Sequence, residues 1–82
     1  MTKAEKLLNR FITRPKDFTY NELLRLLSNF GYKEQQGSGS RIVLTNEELK
    51  HNIKLHKPHH GNVLRRYQID LIIKELKSNG QI

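Results

Sequence analysis

The chain has no cysteine and no tryptophan, only two prolines, and few acids: 8 Asp and Glu against 15 Lys and Arg in 82 residues. Without cysteine, neither a disulfide framework nor a thiolate metal site is available, which fits a reducing compartment. No apolar run approaches the roughly 20 residues of a membrane span, and Met1-Thr2-Lys3-Ala4-Glu5 lacks the apolar core of a signal peptide. A soluble, cytoplasmic protein with no membrane contact is expected. No acidic pair of the glycosidase or two-metal type stands out, and no serine–histidine–carboxylate set can be argued.

What is present is positive charge. The formal net charge is +7, which favours a polyanionic partner, because cations that neutralise phosphates release condensed counterions. The expected partner is a nucleic acid or an acidic protein. The length fits one domain, residues 1–82, with a small core.

The hydrophobic pattern reads as helix, helix, strand, strand, strand, helix. Thr2-Lys3-Ala4-Glu5 has the form of a capping box, and Ala4, Leu7, Leu8, Phe11 and Ile12 recur at helical spacing. This predicts a first helix within 2–13, closed before Pro15. Thr19-Tyr20-Asn21-Glu22 is a second capping box, with Phe18 placed to staple onto Leu23. Leu23, Leu24, Leu26, Leu27 and Phe30 then give an apolar face, which Gly31 ends. Tyr32 to Gln36 reads as a short strand and Gly37 to Ser40 as a turn. Arg41 to Thr45 places Ile42 and Leu44 on one face, and Asn46 to Lys50 reads as a loop. In His51 to His56, Ile53 and Leu55 oppose Asn52, Lys54 and His56. Pro58 stops that strand. A last helix is expected from near Asn62 to Ser78, with Leu64, Tyr67, Ile69, Leu71, Ile72, Ile73 and Leu76 inside. The implied class is α+β: a three-stranded antiparallel sheet with helices on one face and the other face solvated.

Candidate chemistry gathers between Gly37 and Arg66. Glycines in Gly37-Ser38-Gly39-Ser40 allow backbone N–H groups to approach an anion. No Gly-Lys-Ser/Thr follows, so this is not a nucleotide-triphosphatase phosphate loop. All four histidines lie between His51 and His60. His56-Lys57-Pro58-His59-His60 lacks the thiolate or carboxylate that would complete a zinc set, so no metal or other cofactor is expected. Histidine as general acid or base is the stronger reading, since its ordinary pKa is about 6.5 and RNA brings its own nucleophile, the 2′-hydroxyl. His51 and His60 read as solvated loop residues. The basic set is Arg41, Lys54, Lys57, Arg65 and Arg66, with the arginine pair in the first turn of the last helix.

In order along the chain, the helix Asn21 to Phe30 ends in Gly31-Tyr32. Gly39-Ser40 opens a strand, Lys54-Leu55-His56-Lys57-Pro58-His59 closes a hairpin, and a final helix runs to Gly80. In these features, over 18–80, the chain resembles the HicA-type toxins, the small ribonuclease halves of bacterial toxin–antitoxin pairs. The resemblance implies a fold like that of double-stranded-RNA-binding domains, metal-independent cleavage of messenger RNA, and neutralisation by a HicB-type antitoxin. Two departures stand out. The family motif Gly-Ser-His carries a histidine taken as catalytic, whereas here Gly39-Ser40 is followed by Arg41. Arginine stays protonated and cannot act as a base, but it binds phosphate bidentately. The catalytic role therefore falls to His56, with His59 second, and phosphate contacts fall to Gly39, Ser40, Arg41, Lys54, Lys57, Arg65 and Arg66. The other departure is the extra helix within 2–13. The alternative on the same fold is a module that binds RNA or a protein without chemistry.

Overall fold

The computed structural model describes residues 3–37, 39–58 and 62–82. Its elements follow the order α1 (Lys3–Ile12), α2 (Tyr20–Ser28), β1 (Lys33–Gln36), β2 (Arg41–Asn46), β3 (His51–His56) and α3 (Arg66–Ser78). The class is α+β, and the three strands form one antiparallel sheet in the order β1-β2-β3. Among the described residues, no helix is long and apolar enough to cross a membrane.

α2 starts where its capping residues dictate. The Glu22 N–H donates to the Thr19 hydroxyl at 3.2 Å, and the Thr19 N–H donates to the Glu22 carboxylate at 3.0 Å, so two otherwise orphaned donors are satisfied. Phe18 and Leu23, the expected staple pair, are both fully buried. Arg10 from α1 binds the carboxylates of both Glu22 and Asp17 and lies over the Phe18 ring. Phe11 packs on Phe18 with ring centroids 4.9 Å apart. α1 thus shares the core, and Arg14, two residues past its end, reaches Asp70 on α3 at 2.5 Å. The capping box expected at Thr2 lies outside the described residues.

Burial alternates in β2 and β3 as the period-two reading requires, whereas all four residues of β1 are exposed. Ile42 and Leu44 on β2, and Ile53 and Leu55 on β3, are buried against Leu23, Leu26, Leu27, Ile69, Ile72, Ile73 and Leu76 from the helices. Burying each such side chain contributes about 1.5–3 kcal/mol. The buried amide of Asn46 binds the Phe30 carbonyl at 2.8 Å and accepts from the Leu49 N–H at 3.1 Å. It closes β2, so the loop expected from Asn46 is one residue shorter. Gly31 needs to be glycine, because its φ is +91° and an added Cβ would sit 3.3 Å from the Asn46 amide nitrogen.

The last helix begins later than its pattern suggests. Leu64 is buried, but it belongs to an extended stretch: its N–H donates to the Phe18 carbonyl at 2.8 Å, and Val63 bridges to Thr19. Those bonds hold the backbone out of helical geometry until Arg65, whose N–H donates to the Gln68 side chain at 3.0 Å and opens α3 at Arg66. Tyr67 and Leu71, expected inside, are 64% and 38% exposed, and Ile12 on α1 is also exposed. Phe11 and Ile72, also expected inside, are fully buried, and the polar Gln68 is buried too, where no core residue was expected.

Candidate RNA interface on the open sheet face

The helices cover one face of the sheet and leave the other open. Register decides what stands there. Arg41 lies directly opposite His56, and Val43 opposite Lys54. On the other side of β2, Val43 pairs with Gln35 and Thr45 with Lys33. Since residues alternate between faces, the open face carries Lys33, Gln35, Arg41, Val43, Thr45, Asn52, Lys54 and His56. The three cations are exposed. Arg41, Val43, Lys54, Leu55 and His56 line a depression of about 300 Å³.

The turn that aligns this register is built from small residues. The Gly37 N–H donates to the Arg41 carbonyl at 2.9 Å, and Gly39 adopts a φ of +63°, a conformation that a side chain disfavours. The Lys57 N–H donates to the Ser40 carbonyl at 2.8 Å, while the Ser40 hydroxyl lies 3.4 Å from His56 Nδ1. The end of β3 is fixed from below: the Gln68 amide, 3% exposed, donates to the His56 carbonyl at 2.8 Å. His56 is thus held through its backbone while its side chain faces solvent.

Other expected site residues lie elsewhere. The Lys57 ammonium sits over the ring of Tyr20, 5.9 Å from its centroid, on the helix side of the sheet. Arg65 and Arg66 are exposed where α3 begins. Gln68 links this turn to the end of β3. His59, the second candidate base, lies outside the described residues together with His60, Gly61 and Ser38. Lys33 and Gln35 were not anticipated. Their shared parity in β1 was the available signal, but it needs the β1–β2 register to place them beside Val43 and Thr45.

His51 is a correction. It is not a solvated loop residue but the first residue of β3, with its side chain only 14% exposed on the helix side. Its Nδ1 lies 2.7 Å from the Tyr32 hydroxyl and its Nε2 2.7 Å from the Glu75 carboxylate. Burial, with the Glu75 charge added, pushes the Tyr32 hydroxyl up from the ordinary tyrosine value. Likewise Tyr20 is raised by burial and by its hydrogen bond to Glu34. For Glu22, burial alone would raise the carboxyl. The Thr19 hydrogen bonds and the Arg10 guanidinium outweigh it and hold the carboxyl below the usual range.

Among the described residues, no three His, Cys, Asp or Glu side chains gather to hold a metal ion. What the open face offers is fixed positive charge next to one imidazole. That arrangement can bind a phosphodiester and move a proton beside it.

A family model described as the HicA toxin of bacterial toxin–antitoxin matches residues 20–77, from the first residue of α2 to the penultimate residue of α3. No curated protein and no solved structure matches the chain.

Proposed function

This chain belongs to the HicA toxin family of bacterial toxin–antitoxin pairs, and on that premise we propose that its open sheet face binds messenger RNA and cleaves it without a metal. The observation that carries the reading is the pairing of Arg41 with His56 across β2 and β3, with Lys54 beside them around one depression. Arg41 and Lys54 hold a bridging phosphate and offset the charge that builds on it. His56 takes the proton of the neighbouring 2′-hydroxyl, whose oxygen attacks phosphorus as the bond to the 5′ oxygen breaks. A cyclic phosphate and a free 5′-hydroxyl result, the latter taking its proton from water or a second acid. Gly39 and Ser40 shape the turn that lets a strand approach, and Arg65 and Arg66, exposed where α3 begins, extend the cationic surface beyond the face, whereas Lys57 is turned to the helix side over Tyr20. A HicB-type antitoxin neutralises the protein by covering this face.

The test is incubation of the purified protein with labelled RNA in EDTA, beside His56→Ala. Metal-independent cleavage that disappears in the variant supports the reading. Unchanged cleavage removes His56 from the role and moves it to His59.

One observation favours a second reading. Arg41 stands where the family motif has its histidine, and arginine cannot take a proton. On this reading the face binds RNA, or a protein, and does not cut. RNA that stays intact while bound, with affinity falling steeply as salt rises, identifies that case.

A further inference from the structure

β3 is an edge strand, and its outer side is open for half of its length. In an antiparallel pair, every second residue directs both main-chain groups at its neighbour and the rest direct theirs away. The bond from the Lys57 N–H to the Ser40 carbonyl, taken with the Arg41–His56 register, sets the parity. Leu55, Ile53 and His51 bond to β2, whereas His56, Lys54 and Asn52 turn their N–H and C=O groups outward. The Gln68 amide confirms this by reaching the His56 carbonyl from outside the sheet. Among the described residues, nothing pairs with the outward main chain of Lys54 or Asn52.

Beside this open stretch lies a groove of about 240 Å³ between β3 and α3, lined by Asn52, Ile53, Lys54, Leu71 and Glu75. Leu71 is one of the apolar side chains that α3 leaves partly exposed, and Tyr67, one turn earlier, is more exposed still. Main-chain donors and acceptors in strand spacing, beside the partly exposed Leu71, are what an added strand needs. β1, the opposite edge, carries no apolar side chain.

We propose that the β3 edge is a docking site for an extended segment of an acidic partner protein, which joins the sheet as a fourth strand beside Lys54 and Asn52. The chemistry selects this occupant. RNA has no main chain that matches strand spacing. A second copy would bring another chain of net charge +7, and that like charge disfavours association at an edge that carries Lys54. In an added strand, the residue opposite Lys54 shares its solvent side, so an acid there meets the ammonium. The next residue, opposite Ile53, turns to the helix side, where an apolar side chain would cover the exposed Leu71 beside Glu75. The expected segment therefore alternates acidic and apolar residues. None of this depends on the sheet face cutting RNA.

The probe is a synthetic peptide alternating glutamate and valine, with a second version carrying proline at its centre. Under saturating peptide, hydrogen exchange at the amides of Asn52 and Lys54 slows by about tenfold or more. The proline version, which lacks a donor, gives no such slowing. Leu71→Asp, checked by circular dichroism for an intact fold, weakens peptide binding while RNA binding by the same variant stays as in the parent. The proposal is overturned if these amides are unaffected, if the proline version protects them equally, if a single-stranded oligonucleotide protects them, or if they are already protected in a self-associated form.

Discussion

Arg41 and His56 face each other across the β2–β3 pair, so the permanent cation and the titratable ring share one solvent-facing row. On the proposed function, His56→Ala lowers the RNA cleavage rate by about 10²–10⁴-fold, the usual contribution of a positioned acid or base. The measurement is single-turnover cleavage in EDTA at saturating RNA.

Arg41→Ala and Lys54→Ala act on binding. Each loses one phosphate contact, and the plot of log affinity against log salt becomes shallower by about one contact's share. Filter binding across a salt series checks this. A slope unchanged in both variants would take RNA off the open face.

Gln68 ties the site to the helix layer. Gln68→Leu leaves the His56 carbonyl and the Arg65 N–H without their partner and costs about 1–3 kcal/mol of stability. Urea unfolding of the variant reads this loss directly. Cleavage falls as well, because the end of β3 is no longer held. Full cleavage by a destabilised but folded variant would show that the tie is structural only.

The depressed Glu22 carboxyl has a defined pH signature. A carboxylate whose folded pKa lies below its unfolded value contributes stability that is present above the unfolded pKa, near 4.5. That stability is lost as pH falls through the folded pKa. Glu22→Gln keeps an acceptor for the Thr19 N–H and removes the charge facing Arg10. Its melting temperature is expected to fall by a few degrees, roughly, at neutral pH. The gap to the parent should close when both are melted below the ordinary carboxylate range. A gap independent of pH would mean that the charge is not what Glu22 contributes.

Gly31→Ala places a Cβ against the Asn46 amide in a left-handed conformation and is expected to cost about 1–2 kcal/mol. Chemical denaturation of the variant measures it.

The period of the apolar residues made the element order legible. Thr19 and Glu22 announce α2 because a capping box is a local device, and the alternation of Ile53 and Leu55 with Lys54 and His56 assigns the faces of β3 because strand parity is local too. The start of α3 was not legible. Leu64 has the spacing of a helix residue, yet Phe18, far away in sequence, holds it extended through a main-chain bond. Tyr67 and Leu71 look like core for the same reason: a pattern cannot say how wide a face its neighbours will cover. His51 was misread because its partners lie outside β3: Tyr32 just before β1, and Glu75 on α3. Among the site residues, Lys54 and His56 could be placed together from one strand. The juxtaposition of Arg41 with His56 needed the register.

The tie between Gln68 and His56 also bears on timing. The sheet is a meander whose strands pair in chain order, a topology of short-range contacts that favours quick folding. During synthesis the hairpin carrying Arg41 and His56 leaves the ribosome before α3 does. The strand end then lacks the amide that fastens it, and Ile53 and Leu55 lack the helix that buries them. The order of translation thus delays the finished cationic face until the last helix arrives and fastens the end of β3.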